Sequence, residues 1–174
     1  MKKFCISFCL LLIILLVAVG KVSLAPKNVE YLRIHVRADS NKESAQSVKY
    51  LVKDELVKFL TPKLIECKTK ETATKMLIEN LTEIESVANA VLIRNGFDYK
   101  SSAVVCEEEF PTRSYGEITL EKGYYDALIV NLGSGKGDNW WCVVYPPLCF
   151  VDNQSSYVYK SKLLEIITEF FKNK

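Results

Sequence analysis

The chain contains a single histidine, His35, and that scarcity removes more chemistry than any other feature supplies. A Cys–His hydrolase would have to use this one imidazole. Nothing in the spacing around it provides a nucleophile elbow or a third, orienting group. There is no CxxC pair, and Cys142 and Cys149, with six residues between them, fall outside the usual spacing of zinc ligands. Glycine is sparse, yet Gly133, Gly135 and Gly137 cluster around Lys136. A phosphate-binding P-loop needs four residues between its first glycine and a Gly-Lys pair, then Ser or Thr, then a helix. Here Gly137 and Asp138 follow the lysine and a strand-like stretch follows them, so neither a P-loop nor a dinucleotide fingerprint fits. The glycines are expected to serve a mobile hairpin loop. No metal, no cofactor and no catalytic residue is expected. Internal repeats and low-complexity tracts are missing as well.

What the sequence does have begins at its N-terminus. Lys2 and Lys3 precede Phe4 to Gly20, a run without charge. As a helix this run would be roughly 26 Å long, slightly short of a bilayer's hydrocarbon core. Ala18 and Gly20 match the small-x-small pattern of a secretory cleavage site. Residues 1–20 are read as a signal peptide or uncleaved membrane anchor and 21–29 as a linker. Residues 30–174 are read as a single extracytoplasmic domain. Setting aside Lys2 and Lys3 leaves 21 basic against 21 acidic side chains. Such a balance offers no footprint for nucleic acid. Membrane contact is expected only through the N-terminal segment, if it stays uncleaved. Export would place Cys67, Cys106, Cys142 and Cys149 where disulfides form, with three full pairings open.

YLRIHVRA, residues 31–38, alternates strictly: Leu32, Ile34, Val36 and Ala38 against Tyr31, Arg33, His35 and Arg37. That pattern predicts a half-buried strand. SNKE at 40–43 has the form of a capping box, and the apolar stripe after it predicts a helix ending at Pro62. A second helix is predicted over about 72–94, with Leu77, Leu81, Ile84, Ala88 and Val91 on one face and Asn95-Gly96 as its stop. The stretch from Ser102 to Val144 reads as strands divided by glycine and proline turns, and a last amphipathic helix is predicted over about 156–171. The order β-α-α-β-β-β-α implies an α+β fold: a mostly antiparallel sheet with helices packed on one face.

Three further groups carry information. Of Glu107, Glu108 and Glu109, only the first and third can share a strand face, and a solvated acidic edge is the expected role. Trp140 and Trp141 are consecutive, so one is expected to face the core and the other away. With Tyr145 and the rigid Pro146-Pro147 pair they form a candidate partner interface. Cys142 and Cys149 would stand about 23 Å apart along one continuous strand, too far for a disulfide. A bend at Pro146-Pro147 would permit the bond; without it both are small packing residues.

Taken together, NGFDY (95–99), FPTRSYG (110–116), KGYYDAL (122–128) and GSGKGDNWWCVVYPPLCFVD (133–152) resemble the stage II sporulation protein R family. LRIHVRADS fits the same family's opening pattern, and the resemblance covers about residues 30–152. It implies a protein made in the forespore and exported to the space between the septal membranes. There such proteins activate a membrane-embedded aspartic-type peptidase of the mother cell, which removes the pro-sequence of sigma factor E. The family supplies no catalytic residues, so the resemblance implies a ligand and not an enzyme. The competing reading is an extracytoplasmic thiol or cell-wall hydrolase using Cys142 or Cys149 with His35.

Overall fold

A computed structural model describes residues 31–116, 118–150 and 157–172. The signal or anchor segment (1–20) and the linker (21–29) lie outside the described residues. Among the described residues no helix is long and apolar enough to cross a membrane. The chain runs through β1 (Leu32–Arg37), α1 (Glu43–Leu64), α2 (Lys70–Glu79), α3 (Leu81–Arg94) and β2 (Ser101–Phe110). It continues through β3 (Arg113–Tyr115), β4 (Ile118–Leu120), β5 (Gly123–Leu132), β6 (Asn139–Tyr145) and α4 (Tyr157–Lys172). Four strands form one sheet in the order β2-β5-β1-β6, and β3 and β4 pair separately. β1 runs parallel to β5, whereas β1–β6 and β2–β5 are antiparallel. The fold is therefore α+β with a mostly antiparallel sheet.

Leu32, Ile34 and Val36 of β1 join Leu128, Val130 and Leu132 of β5 in a core closed by the helices. From α1 come Val48, Val52, Leu56 and Leu60, and from α2 and α3 come Leu77, Ile84, Ala88 and Leu92. The periodic stripes read from the sequence are thus the faces that meet the sheet.

Local details depart from expectation in ways that have causes. The predicted helix over 72–94 is two helices meeting at Asn80, whose backbone leaves helical geometry at φ −111°. Its side-chain amide donates to the Met76 carbonyl at 2.7 Å, a local bond that competes with continuing the backbone ladder. The capping box expected at Ser40 does not form: the N-cap is Lys42, with no side-chain cap bond. Such a box forms instead between Thr69 and Thr72 at the start of α2. Pro62 lies inside the last turn of α1 and does not end it. Gly96 does take the left-handed conformation after α3, at φ 77°.

The glycine-rich loop is not a hairpin loop. β5 and β6 both pair with β1, one on each side, so residues 133–138 cross over the end of β1. The crossing is a backbone contact. Gly137 N–H donates to the Ala38 carbonyl at 2.8 Å, and Ser134 N–H donates to the Asp39 carboxylate at 2.8 Å. Asp138 N–H donates to Asn41 Oδ1 at 2.6 Å, and the Lys49 ammonium donates to the Asp138 carbonyl at 3.1 Å. A Cβ on Gly137 would collide with the Ser40 backbone. These glycines exist for close approach across a strand end, and the loop is docked.

Candidate functional site

The alternation of β1 sends Tyr31, Arg33, His35 and Arg37 to the face away from α1–α3. A half-buried strand was expected; instead that face is covered, and Arg33 and His35 are 0% and 1% exposed. The cover has two sources. β5 pairs with β1 only from Asp126, while its pairing with β2 begins at Gly123, so the β2–β5 ribbon overhangs the sheet. Its end brings Glu108 and Phe110 over β1, and the β3–β4 hairpin adds Tyr115, Ile118 and Leu120.

Arg33 is enclosed by rings. Its guanidinium carbon lies 4.2 Å from the centre of Phe110, 4.8 Å from Tyr125 and 5.7 Å from Tyr115. Nη2 donates to the Tyr115 hydroxyl at 2.7 Å, and burial together with this cation sets the phenol's pKa, with burial prevailing and raising it. The Nε and Nη1 atoms of Arg33 are buried without a hydrogen-bond partner.

His35 stacks on Trp141 at 3.8 Å, and its Nδ1 lies 3.2 Å from Glu108 Oε2. The other Glu108 oxygen accepts from Arg37 Nη2. A carboxylate can only accept, so Nδ1 carries the proton and Nε2 presents a lone pair, buried and without a partner. Burial first, then the Arg37 and Arg33 charges, push the imidazole pKa down to about 4; the Asn139 side chain acts the other way. Arg37 neutralises Glu108, so that carboxylate has little hold on the imidazolium form. His35 is a neutral, fixed ring.

Glu108 is the site residue that sequence reasoning passed over. Glu107 and Glu109 are exposed, as a solvated edge requires, and the middle glutamate of the run turns inward. A single carboxylate on the strand face opposite to its two acidic neighbours was the available signal.

Trp140 and Trp141 point to opposite faces of β6, and both are half-buried. Trp140 packs against the helix-side core with Lys53 Nζ 5.8 Å from its ring. Trp141 lies against His35, Phe110 at 5.0 Å, and Arg113, whose guanidinium is 5.7 Å from the ring. Tyr145, Pro146 and Pro147 are buried, and the Tyr145 hydroxyl donates to the Lys68 carbonyl at 2.6 Å. The chain does turn back after β6, and Cys142 and Cys149 are joined as a disulfide with Cα atoms 6.3 Å apart. Cys142 belongs to the helix-side core, on the face opposite His35. Cys67 is buried and free, and Cys106 is exposed and free on the edge strand β2. No pairing of His35 with a cysteine is present among the described residues, and no metal-ligand cluster is found there.

The family model described as stage II sporulation protein R matches residues 28–155. A curated relative, the stage II sporulation protein R of Bacillus subtilis (strain 168), is 32% identical over 163 residues. The match covers 87% of this chain and 73% of the relative. No solved structure matches.

Proposed function

Because the chain belongs to the stage II sporulation protein R family, we propose that it is a secreted signalling protein of sporulation that acts by contact and not by catalysis. In this reading it is made in the forespore and exported into the intermembrane space. There it activates the membrane-embedded, aspartic-type peptidase of the mother cell that processes pro-sigma-E. The observation that carries the exported half of the reading is the Cys142–Cys149 disulfide, since such bonds persist in oxidising compartments and are rare in the cytosol. The charged, apolar and small-residue pattern of residues 1–20 supports it. The contact half is supported by the tryptophan pair on the outermost strand, β6.

Trp140 is the candidate anchor: both rings are half-buried, but Trp140 lies beside Lys53 on an edge strand, whereas Trp141 is held between His35, Phe110 and Arg113. Trp140→Ala is expected to weaken peptidase activation by about 2 kcal/mol of binding while the domain still folds. Trp141→Ala is expected to destabilise the domain by about 3–5 kcal/mol. Thermal melts beside a sigma-factor processing assay separate the two. If Trp140→Ala activates like the parent protein, the contact lies elsewhere. Export is tested by a version beginning at Lys21 and confined to the forespore cytoplasm, which is expected to leave pro-sigma-E uncut.

A further inference from the structure

Arg33 is the least explained side chain in the molecule. It is a fully buried cation, and among the described residues no carboxylate forms an ion pair with it. Glu108, the acid on the same face, is taken up by Arg37 and His35. Among the described residues the guanidinium makes one hydrogen bond, to the Tyr115 hydroxyl, and Nε and Nη1 have none. Removing an ion from water without a partner costs several kcal/mol, and three aromatic faces recover only part of that. A guanidinium built into an aromatic cage with idle donors is arranged to receive an acceptor.

Two walls of the cage, Phe110 and Tyr125, belong to the main sheet, and the third, Tyr115, comes from a separate hairpin. The β3–β4 hairpin has three residues per strand and forms its own two-stranded sheet, with no ladder to β2, β5, β1 or β6. Short isolated hairpins are marginal without a packing partner. Tyr115 packs over Arg33, and its hydroxyl is the polar fastening between hairpin and β1. We propose that Arg33 is a receiving site for a carboxylate, with the β3–β4 hairpin as its cover and the Tyr115 hydroxyl as the group the carboxylate displaces. A carboxylate suits the cage because the charge-assisted bond is strengthened where rings exclude water. The shared chemistry has two sources, a small free carboxylate or the acidic side chain of a peptide, and the test separates them. This inference does not depend on the signalling role.

Trp141 is a built-in reporter, since it touches the hairpin through Arg113 and the buried face through His35. The chain has two tryptophans, so Trp140→Phe leaves Trp141 as the sole tryptophan, excited selectively above the tyrosine absorption. The full-length protein with that change is titrated with sodium acetate against sodium chloride at matched ionic strength. A second titration uses a capped peptide with one glutamate against its glutamine counterpart. A saturable change in Trp141 emission is expected with a carboxylate and not with chloride or the glutamine peptide. Saturation by acetate assigns a small ligand; a glutamate peptide binding at least tenfold more tightly than acetate assigns an acidic segment of a protein. Arg33→Lys, which keeps the charge and loses the planar fork, is expected to bind at least fivefold more weakly. Tyr115→Phe is expected to bind several-fold more tightly, because the competing hydroxyl is gone. The bound carboxylate is also expected to raise the melting temperature of the parent and of Tyr115→Phe. If neither protein shows a carboxylate-specific change in emission or melting, the proposal is overturned and Arg33 is a structural cation.

Discussion

His35 shows how one buried ring couples the fold to pH. Its neighbours come from four elements: Arg33 and Arg37 from β1, Glu108 from β2, Trp141 and Asn139 from β6, and Arg113 of the hairpin behind Trp141. The folded pKa of about 4 lies below the ordinary 6.5, so between those values the unfolded chain binds a proton that the folded one refuses. Stability is therefore full above about pH 6.5 and declines as pH falls toward 4, by about 3 kcal/mol from this residue. Denaturant titrations at pH 7 and pH 4.5 are expected to show that loss in the parent and most of it abolished in His35→Gln. An unchanged pH slope in the variant would mean that carboxylates alone set acid stability. The side of β1 that carries His35 was legible from strict alternation. Its burial was not, because Glu108 lies 73 residues away in sequence and reaches it only through the overhang of the β2–β5 ribbon.

The crossing loop and the disulfide-closed turn are where short segments fix the relation of whole elements. Gly137 and Gly133 are pressed against residues 39–40, whereas Gly116, at the tip of the β3–β4 hairpin, has positive φ and open space around it. Gly137→Ala is expected to cost about 2 kcal/mol through overpacking, since the Ser40 backbone has nowhere to move. Gly116→Ala carries only the conformational penalty, about 1 kcal/mol. Chemical denaturation of the two variants checks the order, and equal losses would contradict a docked loop. The Cys142–Cys149 bond closes a short loop, which in the chain-entropy treatment stabilises by about 2–3 kcal/mol. Cys149→Ala, or reduction of the parent, is expected to lower stability by that amount, and mass spectrometry of denatured, alkylated, non-reduced protein should find Cys142 and Cys149 unmodified. Alkylation at both positions would refute the clamp. From sequence, the helical stripes and the left-handed Gly96 were legible because they are local. The break at Asn80 and the unused cap at Ser40 were not, because a side chain–backbone bond decides the first and the docked 133–138 loop holds the chain at the second.

For the molecule as a whole, alternation, helical periodicity and turn residues were enough to reach an α+β fold with a mostly antiparallel sheet. Strand order was beyond them, since placing β1 between β5 and β6 requires contacts about a hundred residues apart. Family membership was legible as a resemblance carried by long, rare strings such as NWWCVVYPPLCFVD. Glycine spacing argued against a phosphate loop and charge balance against a nucleic-acid footprint, and neither named a partner. The central claim is that this protein switches on a peptidase from outside the membrane, and reconstitution tests it most directly. The full-length protein, the cognate peptidase and pro-sigma-E are expressed together in a host that does not sporulate, and the size of the sigma factor is followed by immunoblot. The expected result is removal of the pro-sequence when the protein is exported and none when it is omitted or begins at Lys21. Processing that proceeds equally without it, or equally when it is held in the cytoplasm, would contradict the claim.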